Sequence, residues 1–171
     1  MKKMWTGIIM LLLLSACAND EAALSEADEG TNVSVLKPVQ LNENWELQEV
    51  VQDDNLIVSV YEHAEKGTVE LIQDQQIQGL DPAVLRDYLN DGNWTGDFHR
   101  PADGMPLAIH EYVGEWTSLP DPEERVQYTF VRQFDLFQTP ADGLSYYQVI
   151  GQNVSESDVI EFVEALDRVQ S

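Results

Sequence analysis

The sequence is short of most features that announce a chemistry. It has one cysteine, Cys17, so no internal disulfide can form and no cysteine pair can hold zinc. Its three histidines, His63, His99 and His110, are too widely spaced to act together as ligands on one element, and they read as surface or strand-edge residues. Nine basic residues stand against thirty-one acidic ones, a net charge of −22. No basic stripe exists, which excludes nucleic-acid binding, because that affinity rests on neutralising phosphates. No apolar run reaches the roughly 20 residues that span a bilayer. No G-x-S-x-G elbow marks a nucleophile, and no carboxylate pair stands out from the acidic background as an acid–base couple. The expectation is a protein that is not an enzyme and uses no cofactor.

What is present is concentrated at the N-terminus. Lys2 and Lys3 precede an apolar run from Ile8 to Leu14, followed by the small residues Ser15 and Ala16 and then Cys17. Charge, then apolar run, then small residues is the order of a secretory signal peptide. Leu14-Ser15-Ala16-Cys17 resembles the bacterial lipobox. The resemblance implies a diacylglyceryl group on the Cys17 sulfur and cleavage between Ala16 and Cys17. Residues 1–16 would then be signal peptide, and Cys17 the lipidated first residue of the mature chain. The same stretch also fits an ordinary signal-peptidase site, Ala16-Cys17-Ala18, which would release a soluble protein. Two facts favour the lipid: Cys17 has no disulfide partner, and it sits directly behind the apolar run. Two or three acyl chains hold stably, since each buried methylene contributes about 0.8 kcal/mol. The expected location is the cell membrane, lipid-anchored and facing the extracytoplasmic side. Without Lys2 and Lys3, seven basic residues remain against thirty-one acids, a net charge of −24. That balance argues against docking on anionic headgroups by charge, leaving the acyl chains to hold the protein there.

Residues 18–32 are mainly Ala, Ser, Gly, Asn and acid with no basic residue, and they read as an extended, flexible, self-repelling tether joined to Cys17. Residues 33–171 read as a single domain, with enough tryptophan, tyrosine and phenylalanine (four, six and five in the chain) to exclude a disordered tail. Trp45–Val50 alternates apolar and polar, Leu56–Tyr61 is β-branched and aromatic, and Thr68–Ile72 pairs back after a turn at Lys66-Gly67. Asp81 caps and Pro82 opens a helix whose apolar face is Val84, Leu85, Tyr88 and Leu89. Leu107–Trp116 reads as one extended stretch, Arg125–Phe137 as the longest strand, and Leu144–Ile150 as its return. Ser155, with Asp158 three residues on, opens a terminal helix with the stripe Val159, Ile160, Phe162, Val163, Leu166. The fold expected is α+β: an antiparallel sheet of about six to seven strands with both helices packed on one face.

Two short patterns carry a family resemblance. Tyr147-Gln-Val-Ile-Gly151 running into the Ser155–Asp158 cap, and the Ser59-Val60-Tyr61 to Val69-Glu-Leu-Ile-Gln73 hairpin, resemble uncharacterised Gram-positive lipoproteins of the lipoprotein-carrier-like superfamily. That family implies a curved sheet with a helix laid across its concave side, and a helix at Pro82–Leu89 is not expected of it. The mid-chain helix instead resembles PsbP-like domains. Neither resemblance brings catalytic residues.

One loop has ligand-like spacing. Asp91, Asn93, Thr95 and Asp97, with Gly96 at the sharp turn, occupy the opening positions of an EF-hand-like calcium loop. Ala102 stands where the bidentate Glu belongs and Pro101 spoils the exit helix, so an ordinary polar turn is the better reading and no metal is expected. Trp45, Trp94, Trp116 and the Tyr146-Tyr147 pair could line a groove, although aromatics in alternating strands are more often core. Two functions follow. The first is a non-enzymatic binding module holding an apolar ligand in a sheet–helix cleft. The alternative is a partner-binding envelope or regulatory protein with no small-molecule ligand.

Overall fold

A computed structural model describes residues 24, 33–77, 79–91, 104–119, 125–138 and 143–169. The α+β class and the seven-stranded antiparallel sheet are present. Period-two alternation builds the sheet. β2 (Trp45–Asp53), β3 (Leu56–His63) and β4 (Thr68–Asp74) form one meander. β5 (Pro106–Ile109), β6 (Tyr112–Leu119), β7 (Arg125–Arg132) and β8 (Tyr146–Gln152) form a second. The two join where β8 pairs with β4, giving the order β2-β3-β4-β8-β7-β6-β5. A separate two-stranded ribbon pairs β1 (Leu36–Pro38) with β9 (Leu166–Arg168).

The turns explain the register. Asp54 takes a left-handed φ of 50° in the two-residue turn between β2 and β3. Gly67 packs so tightly beneath the β8 end that a Cβ there would lie 1.8 Å from the Gln152 carbonyl oxygen. The stretch Leu107–Trp116, expected to be continuous, is a hairpin: Ile109 pairs with Tyr112, and His110 turns the chain at φ 52°. The long strand expected to reach Phe137 stops at Arg132 and becomes α2 (Gln133–Phe137). Gln133 links both departures. Its backbone N–H donates to the Glu111 carbonyl (2.9 Å), and its side-chain amide donates to the carbonyls of His110 and Tyr112 (3.1 Å each).

The helices pack on the sheet, but on opposite faces rather than one. α3 (Glu156–Glu164) opens with the expected capping box between Ser155 and Asp158. It buries Val159, Phe162 and Val163 against the face carrying Tyr61, Val69, Tyr128 and Val149. α1 (Pro82–Asn90) starts at the expected cap, where the Asp81 carboxylate accepts from the Ala83 N–H at 2.8 Å. Its Leu85 packs with Val113, Val131 and Leu136 on the other face. Tyr112 and Val113, Phe130 and Val131, and Tyr147 and Tyr146 are strand neighbours, so alternation sends each pair to opposite sides. The apolar half of each face therefore demands its own cover. Leu166, expected in the helical stripe, lies past the helix end in β9.

Candidate functional site

The sheet–helix cleft comes first, because an apolar ligand would sit there. Its space is occupied by rings. Phe162 meets Tyr61 and Trp45 edge-on, with centroids 5.1 and 6.0 Å apart. Phe130 lies 5.0 Å from Tyr112, 4.9 Å from Tyr128 and 5.5 Å from Tyr147. Three buried hydroxyls end on backbone carbonyls: Tyr112 donates to Leu166 (3.0 Å), Tyr128 to Leu107 (2.7 Å) and Tyr147 to Ser34 (2.7 Å). Burial pushes the phenols of Tyr61, Tyr112, Tyr128 and Tyr147 above the ordinary tyrosine value. Trp116 and Tyr147 are core, and Trp45 packs against it; Trp94 lies outside the described residues. His63, at the end of β3, is buried with its ring 4.9 Å from Trp45.

Polar and exposed features gather instead at one end of the sheet. Call it the upper end: register aligns Asp53, Leu56, Asp74, Tyr146, Arg132, Tyr112 and Ile109 there. The chain joins the domain at this end. The Gln73 amide, fully buried, brackets Leu36 by accepting from its N–H (2.7 Å) and donating to its carbonyl (3.1 Å). Ser34 donates its N–H to Ser145 Oγ at 3.2 Å and takes a hydrogen bond on its own Oγ from Arg168. Leu24, the one described residue of the segment read as tether, is 2 % exposed and packs with Val35 and Ile57. The segment expected to be an extended tether is thus held against the domain at Leu24.

Beside this junction lies a cavity of about 300 Å³ between the end of α3, the β1–β9 ribbon and the His110-Glu111 turn. Glu111, Glu164 and Asp167 line it with Val39, Gln40 and Leu166. Glu164 sits in the last turn of α3, where carbonyl dipoles already favour a cation, and no basic residue offsets it there. Arg132 pairs with Glu111 at 3.5 Å. Such a groove accepts hydrogen bonds and positive charge. On the other side of the same end, α2 points Leu136 inward and leaves Phe134 and Phe137 60 % and 56 % exposed. Arg86 donates from Nε to the Leu136 carbonyl at 2.7 Å and so sits against α2.

The residues singled out in the sequence fall mostly elsewhere. Ala16, Cys17, Asn93, Thr95 and Asp97 lie outside the described residues, and Asp91 is the C-cap of α1. Among the described residues no three His, Cys, Asp or Glu side chains are grouped to hold a metal, and no helix is long and apolar enough to cross a membrane. The α2 surface escaped the sequence reading, and Phe137 was the available signal: it stands on the polar parity of Gln133 and Asp135. No protein-family model, curated protein or solved structure matches this chain.

Proposed function

We propose that this protein is a bacterial lipoprotein, acylated on Cys17 after cleavage behind Ala16. Its domain faces the extracytoplasmic side and binds an envelope protein, without catalysing a reaction and without a small apolar ligand. The observation that carries the choice between the two binding readings is the ring-filled interface beneath α3, where Phe162 meets Trp45 and Tyr61. A ligand there would have to displace native core. The groove lined by Glu111, Glu164 and Asp167 supports a partner that presents a basic segment.

Two measurements test the two halves. Intact mass of the membrane-extracted protein beside a Cys17→Ala variant should give a chain starting at Cys17 plus diacylglycerol, lost in the variant. An unmodified mass starting downstream would end the anchor reading. In cells, a photo-crosslinking amino acid at Gln40 should give a discrete adduct to an envelope protein, removed by Glu164→Lys with Asp167→Lys. An adduct indifferent to those charges, or saturable quenching of Trp45 by a fatty acid, would overturn the partner reading.

A further inference from the structure

The exposed phenylalanines of α2 need an occupant, and the way the chain reaches the domain indicates one. We infer that α2 rests on the membrane that carries the anchor. Phe134 and Phe137 enter the interfacial layer of that leaflet, with Arg86 at the level of the headgroup phosphates. The inference rests on the acylated Cys17 of the proposed function and adds an orientation to it.

Reach is the first argument. With Leu24 buried against Val35 and Ile57, only the six residues 18–23 separate Cys17 from the folded domain, a path of seven Cα–Cα steps. Fully extended they span about 25 Å, less than the diameter of a small domain. Counted to Val33 instead, where the sequence alone begins the domain, the leash would run to about 55 Å. The upper end of the sheet must therefore stay near the bilayer, and α2 follows directly on Arg132 at that same end.

Chemistry is the second. Phe134 and Phe137 are three residues apart on one helical turn, so their rings share a side. Aromatic rings on a short amphipathic element suit the headgroup–acyl boundary, where burial of apolar area is rewarded. Basic residues are scarce in this chain and unevenly placed. Among the six described, Lys37, Arg86, Arg132 and Arg168 lie at the upper end, and Lys66 and Arg125 at the lower. Arg86 and Arg132 adjoin α2 itself, Arg132 paired with Glu111 of the groove, whereas Glu164 and Asp167 lie across the end. A net charge of −24 without Lys2 and Lys3 forbids adhesion by charge alone. The acyl chains supply proximity, and the α2 side decides which way the domain leans.

The test uses the acylated protein in phosphatidylcholine–phosphatidylglycerol vesicles. Cys17 is the only native cysteine and its sulfur is blocked, so an introduced thiol is labelled alone. A fluorophore at Gln138→Cys, just past α2, is compared with one at Glu65→Cys in the β3–β4 turn at the lower end. Nitroxide-bearing lipids should quench the first about threefold more than the second. Phe134→Ser with Phe137→Ser should bring the ratio to about one while the protein stays vesicle-bound. Equal quenching at both positions overturns the inference, as does a ratio that survives the double substitution. A label at Gln138→Cys shielded from aqueous iodide in cells yet untouched by nitroxide lipid means that a protein covers α2, and overturns it too. Intact mass of the same sample reports the anchor independently. An unacylated chain removes the anchor reading and this inference together, whereas acylation with equal quenching removes the orientation alone.

Discussion

α3 and α2 cover opposite faces of one sheet and are built to opposite rules. α3 begins with a reciprocal capping box and runs nine residues with Val159, Phe162 and Val163 fully buried. α2 has five residues and no side-chain cap; it buries Leu136 and Asp135 and leaves two phenylalanines more than half exposed. Three of the chain's five phenylalanines lie on these two helices, and of these three only Phe162 contributes to the core. A ring in water contributes nothing to folding and raises the risk of association. The contrast therefore separates aromatic residues that make the fold from aromatic residues that need another reason to be there.

The largest effect should come from the α3 face. Tyr61, Tyr112, Tyr128 and Tyr147 all have raised pKa values, burial being the first cause in each. Raised folded values mean that the stability they contribute is complete below the unfolded tyrosine value and is lost as pH climbs past it. The unfolded chain releases protons that the native core must retain. Denaturant midpoints followed from about pH 8 to pH 12 should hold level and then fall steeply beyond about pH 10, with the tyrosinate absorbance of these four residues appearing only together with unfolding. Tyrosinate from more than two of the six tyrosines while the protein is still folded would mean that the core is open to water. Next comes Phe162→Ala, which removes the ring between Trp45 and Tyr61 and should cost about 4 kcal/mol in equilibrium unfolding. A loss under about 1 kcal/mol would mean that the space beneath α3 is loosely filled, and would revive the apolar-ligand reading.

An intermediate effect is expected where the chain joins the upper end. Gln73→Leu keeps the volume and removes both hydrogen bonds to Leu36, leaving a buried N–H and carbonyl without partners. That should cost about 2 kcal/mol and admit protease near residues 33–38 before the sheet unfolds. Cleavage and global unfolding that remain simultaneous would show that the β1–β9 ribbon does not depend on this clamp.

Features that are local in sequence were legible. The β2, β3 and β4 strands follow from alternation, and both helix starts follow from Asp81-Pro82 and Ser155–Asp158. Features imposed by distant partners were not. Neither His110 nor Glu111 is a turn residue by habit; His110 holds φ 52° because the Gln133 amide, from another element, fixes the turn. Leu166 fits a helical stripe by spacing, yet the chain leaves the helix to pair with Pro38. Leu24 sits among acids and alanines, and only the folded cluster of Val35 and Ile57 gives it a place to bury. The lipobox resemblance rests on the contiguous residues Leu14–Cys17, which lie outside the described residues. The groove draws on chain segments far apart, and no window of sequence contains it; α2 lies in one window, but its departure from the strand is tied to the distant Glu111 and Arg86.

The smallest effect is the most telling for the contrast between the helices. Phe134→Ser with Phe137→Ser removes twice as many rings as Phe162→Ala, yet unfolding free energy should change by no more than about 0.5 kcal/mol. Both rings are more than half in water already, and serine and phenylalanine have similar helix propensity, so little native contact or backbone preference is lost. Denaturant melts of the double variant beside Phe162→Ala check this directly. A loss of about 2 kcal/mol or more would place the two rings in the fold after all. α2 would then be a stabilising element like α3, the contrast would collapse, and the membrane-facing role would lose its physical ground. A neutral result leaves two phenylalanines held in water at the end of the sheet where the chain arrives, and folding does not account for them.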